Sequence, residues 1–519
     1  MLNGGFEFIS GKIYKNHYIY FVKNKRKILL LFLVTVLLAD CSYSFLQYLN
    51  TPLDGDIASL VLPTHEHQKT LNDPFGLKTI INNKPHTNPN RFFVHWAIKE
   101  YFQNVPILLQ KVINPIQSIY FSSALIKIII HLLMIYLLAV FINKGKFFFN
   151  YKLIIITLLL APLFQAYGYH NYLGFIDTSI TYTFFYALPL MVLLFFYSFL
   201  YRLTSSPQTK KLSLISIITI TVLVIVLPFS GPLIPPVIII VSALLFGHYL
   251  LVSFSQHKNI SLMKIALHAY KNIPRTIKIA FISISILSLY SLFLGSYNSG
   301  FQTNNISIYE RLSRLPLGVY YQFTQKLGFP ILFFSIALNS YIIKKHFYNN
   351  EGKKIVKNLK WILIFSLIYI LLLPFGGFRF YRENILRYDT IMPITIAFIY
   401  LFGATSYFLL TNLKAKKNIY LLFLIAFFLI FTNADRSTLN ENKKEKKALT
   451  KIQNSTQIIV SLKNKTTVFS WNVITDYNES DLNAQLMHRW NITSKKTLYY
   501  FDTTKTPSTH HKPVLQVSP

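Results

Sequence analysis

From residue 27 to residue 432 the chain alternates long apolar runs with short polar interruptions. The runs are about 20 residues long, the length an α-helix needs to cross a hydrocarbon core. Their breaks carry Gly, Pro and clustered charge, as in "NKGKFFFNY" over 143–151 and "SGPLIPP" over 230–236. The pattern predicts about eleven helices, at 27–49, 118–143, 148–165, 181–203, 212–229, 233–254, 278–297, 328–343, 361–376, 390–410 and 418–432. A long first loop, 50–117, and the tail, 433–519, break the pattern. In the tail, "TQIIVSLKN", "KTTVFSWNV" and "KKTLYYFDT" read as strands. The first two are separated by a polar turn. "SDLNAQLMHRW" reads as a helix capped by Ser480, and a disordered end is expected from about residue 504.

The expected fold class is therefore an all-α polytopic membrane bundle of about eleven transmembrane helices. It carries a long first external loop and a small external α+β C-terminal segment. Three regions follow: an N-terminus at 1–26, a transmembrane domain at 27–432 that includes loop 50–117, and the segment 433–519.

Charge sets the orientation. "KNKRK" at 23–27, Lys144, Lys146, Lys210, Lys264, Lys271, Arg275, "KK" at 344–345, Lys357 and "KAKK" at 414–417 fall in alternate loops. Loops 166–180 and 230–236, of the opposite set, contain no Lys or Arg. By the positive-inside rule the basic set is cytoplasmic. The N-terminus is then cytoplasmic, and loop 50–117 and the tail are external. The first run is read as a retained helix of a multi-pass protein in a bacterial inner membrane. The tail's "ENKKEKKALTK" is the one basic stretch that this arrangement puts outside.

Composition agrees. The 519 residues are 52% hydrophobic and 16% aromatic, with mean hydropathy +0.39. A net charge of +33 invites a nucleic-acid partner. However, the basic residues are dispersed as loop anchors rather than gathered on a domain with stacking aromatics. A single cysteine, Cys41, excludes an intrachain disulfide.

Against that acid-poor background, "TPLDGDIASL" over 51–60 places Asp54 and Asp56 just outside the first helix. The loop continues through His65, Glu66, His67 and Asp73 to "NRFFVHWAIKEYF". There Phe92, Phe93, Trp96 and Phe102, with Arg91, Lys99 and Glu100, fit an interfacial helix. Two external loops are basic where the rule asks for neutrality. "GGFRFYRENILRYDTIMP" supplies Arg379, Arg382 and Arg387, and "YERLSRLPLGVYYQ" supplies Arg311 and Arg314. A carboxylate orients or deprotonates an acceptor hydroxyl, and forked guanidinium groups stabilise a leaving phosphate.

A first helix, an external loop opening on an acidic motif with interfacial helices, a bundle of hairpins and an external C-terminal domain resemble the GT-C superfamily of membrane glycosyltransferases. The resemblance covers nearly the whole chain in architecture. It implies a sugar moved from a polyprenyl-phosphate or polyprenyl-pyrophosphate donor to a glycan, lipid or protein acceptor. It also implies that Asp54 and Asp56 match the acidic motif, as general base or as partner of a divalent cation. Here "DGD" replaces the commoner "DE" form. A transporter or flippase of lipid-linked saccharides, or a polymerase of them, is the competing reading. No other cofactor is expected.

Each candidate also has a plainer role. Asp54 and Asp56 suit an Asx turn and helix cap. The arginines suit headgroup anchoring, and Asp177 in "YHNYLGFIDTS" suits a cap on the next helix or a substrate contact. His65 and His67, on opposite faces of a strand or simply in a loop, are candidate metal ligands whose plainer reading is ordinary loop polarity. Inside the membrane, Asp40 and Lys127 fall at matched depth, ~14 Å below the outer surface. They are expected to pair as an interhelical clamp, with His131 one turn deeper than Lys127.

Overall fold

A computed structural model describes residues 4–145, 150–164, 175–205, 212–257, 261–302, 306–325, 327–378, 382–463 and 465–502, with 4–26, 204–205 and 301–302 described as backbone only. Helices fill each of the eleven expected apolar runs. Eight are long and apolar enough to cross a membrane: Lys27–Leu49, Pro115–Ile142, Ile180–Leu203, Ile234–Gln256, Arg275–Gly295, Asn350–Gly376, Met392–Asn412 and Lys417–Ala434. Ile308–Thr324 with Gly328–His346 makes a ninth if the two count as one span, and Tyr151–Leu163 and Leu214–Phe229 are shorter. Their outward faces are apolar. Leu31 is 69% exposed, Leu38 61% and Leu422 66%. Water would penalise such a surface, and a bilayer would not.

The bundle interior is a continuous aliphatic and aromatic core. Its central polar tie is Asn339, which donates to Thr405 Oγ1 and Ser406 Oγ, both at 3.1 Å, and accepts from the Tyr420 hydroxyl at 3.1 Å. With lipid tails as apolar as leucine, such interhelical hydrogen bonds fix which helices meet.

A second core caps one end of the bundle. It joins the first loop, the Phe92–Leu109 helix and the tail, which therefore sit at the same end. Trp490 is fully buried there, and its indole donates to the Phe102 carbonyl at 2.8 Å. Asn442 donates to the carbonyls of Asn50 at 2.9 Å and Leu49 at 3.0 Å. The basic run at 441–451 falls largely in the Lys443–Gln453 helix, whose apolar side (Ala448, Leu449, Ile452) faces this core; Lys443, Lys444, Lys447 and Lys451 face out, and Lys446 lies over the Tyr120 ring at 4.7 Å. That helix is held by protein along its apolar side.

The tail differs from expectation in its pairing. Residues 465–473 form no strand among the described residues, so the second expected strand is not formed. Strand β1, Ile459–Leu462, pairs instead in parallel with β2, Leu498–Phe501. The Asp481–Arg489 helix lies between them in sequence, making the connection a crossover. Ser480 precedes that helix, but its hydroxyl donates to the Tyr477 carbonyl at 2.6 Å and accepts from Tyr499 N at 3.0 Å rather than capping it. The stretch from 504 lies outside the described residues.

One buried acid ties the tail to the loop. Glu445 accepts from the Tyr120 hydroxyl at 2.7 Å, Leu53 N at 3.2 Å and Phe469 N at 3.3 Å. Burial pushes its carboxyl up to about 7, against the three hydrogen bonds, which lower it. The folded state then holds a proton on Glu445 that the unfolded chain releases near its ordinary value of 4.5. The stability of the docked tail should fall as pH rises from about 4.5 to about 7 and then level off. In Glu445→Gln this dependence should be absent. Thermal unfolding in detergent at pH 5.5 and pH 8 measures it, and an unchanged pH dependence in the variant would exclude Glu445 as its source.

Candidate functional site at the loop end of the bundle

The two carboxylates of "LDGD" have different surroundings. Asp54 is buried, 7% exposed. It accepts four hydrogen bonds: from Ser179 Oγ at 2.6 Å, Thr181 Oγ1 at 2.7 Å, Thr181 N at 2.9 Å and Asp56 N at 3.1 Å. It therefore makes its own Asx turn and also satisfies one of the open N–H groups at the start of the Ile180–Leu203 segment, that of Thr181. Asp177 acts beside it. Its carboxylate accepts from Ser179 N at 2.7 Å and from the Tyr388 hydroxyl, and burial raises its pKa.

Lys127 lies beneath these two acids, fully buried. Its ammonium donates to the Thr178 carbonyl at 2.6 Å and Thr51 Oγ1 at 3.3 Å, and its electrostatic partners are Asp177 and Asp54. No ion pair joins it to Asp40 among the described residues, so the expected clamp is not formed. The acid acting on half-buried Asp40 is Asp435 of the tail. In the structure the two loops fold over Lys127 and supply nearer oxygens. The first and second helices are bridged instead by the Tyr48 hydroxyl and His131 Nδ1, 3.0 Å apart.

Asp56 is half-exposed. One oxygen accepts from the Trp471 indole at 3.0 Å. Burial is the largest influence and raises its pKa. The indole hydrogen bond lowers it, the charge of Asp54 raises it, and His67 lowers it. Gly55 explains the glycine between the two acids. A Cβ there would stand 2.4 Å from Trp471 N and 2.6 Å from its Cδ1, so the tail backbone rests directly on the loop.

From Trp471 a line of aromatics leads inward. Its ring lies 6.1 Å from Tyr182, and Tyr182 lies edge-on to Tyr186 at 5.8 Å. Both tyrosines come from the start of the Ile180–Leu203 segment, where a π-helical turn at Thr183–Ala187 locally resets the register. Arg387 covers Tyr182 at 5.6 Å, and Arg382 donates to the Tyr186 hydroxyl at 3.0 Å.

The arginines converge on an acid the sequence reading passed over. Asp389 is fully buried. It accepts from Arg382 Nη2 at 2.7 Å and from Arg387 Nε and Nη2 at 3.0 and 2.8 Å. Burial pushes its pKa up, but the two guanidinium groups outweigh it and hold the carboxyl at about 2. Next to this cluster opens a cavity of about 580 Å³ whose polar wall is Asn90, Arg91, Tyr186, Arg311, Arg382 and Asp389, the rest being mostly apolar. Asn90 is set by a helix and a loop: its Nδ2 donates to the Ser291 carbonyl at 3.1 Å, and Gly231 N donates to its carbonyl at 3.1 Å; Arg91 N donates to the Asn88 carbonyl at 3.1 Å. Arg311 is braced by the Ile306 and Pro374 carbonyls at 2.9 and 3.1 Å.

The expected residues thus divide. Arg311 and Arg382 line the cavity. Arg387 does not line it, and it braces Asp389 from behind. Arg314 is turned toward Glu310 at 2.6 Å and the Phe378 ring at 5.1 Å. Arg379 lies outside the described residues. Neither Asp54 nor Asp56 lines the cavity, and its carboxylate is Asp389. Arg91 was read only as the polar edge of an interfacial helix. Its signal was the "NPN" turn before it, which marks a fixed loop position.

His65 and His67 occupy a helix, His65–Asn72, and not a strand or loop. Two residues apart on a helix they point to different sides. His65 lies in solvent beside Glu66, whereas His67 meets the Ser59 carbonyl at 3.0 Å and the His95 ring at 5.1 Å. Among the described residues no group of three His, Cys, Asp or Glu side chains is placed to hold a metal ion.

No protein-family model and no curated protein sequence matches the chain. A solved structure similar to it is that of an Archaeoglobus fulgidus oligosaccharyltransferase, in complex with Zn and sulfate. The TM-score is 0.36 and the identity 14%, over 77% of this chain and 54% of that one. The chain thus spans about half the length of that structure.

The contact at Gly55 predicts a specific failure. Gly55→Ala should lower the unfolding midpoint and loosen the tail, at a cost of about 1–3 kcal/mol. Trp471→Ala should not rescue it, because the nearest atom is backbone nitrogen. Limited proteolysis of the tail reads the outcome, and full protection in Gly55→Ala would show that the contact is not tight.

Proposed function

We propose that the protein is a membrane glycosyltransferase that moves a sugar from a polyprenyl-linked phosphate donor to a glycan, lipid or protein acceptor at the loop end of the bundle. The observation that carries this reading is the pairing of two unlike sites across Tyr182 and Tyr186. On one side is Asp56, a half-exposed carboxylate with raised proton affinity. On the other is a cavity with three arginines and one acid, whose walls are otherwise largely apolar.

In the proposed reaction the acceptor hydroxyl attacks the anomeric carbon of the donor. The carbon–oxygen bond to phosphate breaks, and the phosphate leaves with the electron pair. Asp56 takes the hydroxyl proton; its raised pKa makes it a better base than an ordinary carboxylate. Arg91, Arg311 and Arg382 meet the charge that develops on the leaving phosphate. Three guanidinium groups against the single Asp389 leave the cavity cationic, as a phosphate or pyrophosphate requires. The apolar wall from Pro232 to Ile240 and from Leu372 to Phe375 suits the first units of a lipid tail. Asp54, with its acceptor capacity already engaged, holds the loop in place and stays out of the chemistry. Asp177 plays the same part.

The clusters of Lys and Arg in alternate loops of the sequence support a cytoplasmic N-terminus and an external site, and we place the protein in a bacterial inner membrane. The competing flippase or transporter reading would need the arginine cavity alone.

Asp56→Asn should lower the turnover of glycan transfer by about 10²–10⁴-fold with the protein still inserted and donor still bound. Asp54→Asn should instead lower the unfolding midpoint. Full transfer by Asp56→Asn would exclude it as the base. If reconstituted protein moves a lipid-linked saccharide between leaflets with its bond to phosphate intact, and Asp56→Asn does so equally well, the chain is a transporter. Arg382→Lys keeps the charge and loses the fork. It should raise KM for the donor by about tenfold, and an unchanged KM would remove Arg382 from the donor site.

A further inference from the structure

A second cavity, of about 640 Å³, lies deeper in the same group of helices and opens toward the other end of the bundle. The two cavities share three helical segments, the first being Ile180–Leu203, with Tyr186 in the first cavity and Leu190 to Tyr197 in the second. In Ile234–Gln256 the first uses Pro236, Ile239 and Ile240, and the second runs from Val237 to His248. In Asn350–Gly376 the first uses Tyr369 and Leu372, and the second runs from Lys354 to Phe365. Lys354 and Leu372 are 18 positions apart along one helix, ~27 Å. The second cavity's basic end is therefore far from the arginines.

Its interior is a lipid-like environment. Leu190, Leu194, Val241, Leu245, Ile362 and Ile396 form the wall. The polar groups gather at one end: Lys354, Lys357, Asn358, His248, Trp361 and Tyr400. Lys354 and Lys357 are three residues apart on a helix and share a face. Both are exposed, and among the described residues neither makes an ion pair within 4.0 Å. Glu351, the acid that feels Lys354, is engaged by Lys144. Tyr197 also lines the cavity, and its hydroxyl is buried with no hydrogen-bond partner among the described residues. Burying an unmatched hydroxyl costs ~1–3 kcal/mol in proteins, so a site that leaves one open favours a ligand with an acceptor. An apolar slot with two unpaired lysines and an indole at its mouth has the charge and shape of an anionic lipid. The volume is in the range that holds small amphiphilic ligands, about 300–1,000 Å³.

We propose that this cavity is a binding site for an anionic glycerophospholipid from the leaflet opposite the candidate active site. One acyl chain enters the slot between the Ile234–Gln256, Asn350–Gly376 and Met392–Asn412 helices. The phosphate sits between Lys354 and Lys357, and an ester or glycerol oxygen accepts from Tyr197 or Tyr400. The bound lipid fills a void among the helices that frame the arginine cavity, and so braces them from below. The site does not depend on what reaction the other end performs.

Trp361 reports occupancy. Purified full-length protein in neutral detergent is titrated with phosphatidylglycerol brominated on its acyl chains, and with brominated phosphatidylcholine. The part of the tryptophan quenching that disappears in Trp361→Phe is the signal. It should saturate, with phosphatidylglycerol favoured by about tenfold to thirtyfold, since each lysine near an anionic surface contributes roughly fivefold. Lys354→Gln with Lys357→Gln should bring the two lipids to within about threefold, with the unfolding midpoint unchanged. Ala397→Phe, which narrows the slot, should remove saturation for both. Inorganic phosphate in excess should not displace the lipid if the chain is bound as well as the headgroup. Equal quenching by both lipids in the native protein overturns the proposal. So does a preference that survives loss of both lysines. Saturation that persists in Ala397→Phe places the lipid on the outer surface and overturns the slot. A donor tail descending from the arginine cavity would give the opposite pattern: no headgroup preference, and loss of signal in Arg382→Lys.

Discussion

The structure at the loop end depends on a carboxylate that is not free to react. Asp54 leaves the first helix and at once accepts four hydrogen bonds, three of them from residues that start the fourth apolar run, more than 120 positions away. Burying a charge without partners costs several kcal/mol. Here the cost is met by those donors and by Lys127 below. The bonds fix where the first loop lies. They also set the angle at which Tyr182 and Tyr186 emerge, and so where the arginine cluster can rest.

Two acids one residue apart therefore do different work, for reasons of packing. Asp54 points into the protein and its acceptor sites are engaged. Asp56 points out, keeps one oxygen on the Trp471 indole and has its proton affinity raised by burial and by its neighbour. The glycine between them lets the tail approach to contact. A residue of the C-terminal segment thereby becomes part of the surroundings of a carboxylate more than 400 positions away.

The same logic runs through Asp389 and Glu445. Each is a single buried acid where several segments meet. Asp389 gathers two arginines that would otherwise repel each other, and the low pKa that results keeps it charged under any working condition. Glu445 takes its hydrogen bonds from neutral donors among the described residues, with the Lys446 ammonium acting only through space, and its pKa moves the other way. Paired acids make permanent joints, and an acid held by neutral groups makes a joint that responds to pH.

What the sequence by itself determined was everything that rests on local periodicity: the eleven apolar runs, the loop and tail that interrupt them, and the unusual position of Asp54 and Asp56. A run of 20 apolar residues has one stable form in a bilayer, so pattern suffices there. What only the tertiary structure decided was partnership. Lys127 and Asp40 match in depth, yet Lys127 takes its oxygens from two loops. Residues 465–473 carry β-forming side chains, yet β1 pairs with a strand from beyond the next helix. Asp389, without a motif of its own, and Arg91, marked only by the turn before it, line the cavity, while Arg314 and Arg387 point elsewhere. Periodicity is a property of neighbours in the chain, whereas hydrogen bonds and ion pairs are settled by competition among groups brought together from hundreds of residues apart. Where several donors compete for one buried acid, the outcome follows from geometry at the level of an ångström, which no spacing along the chain encodes.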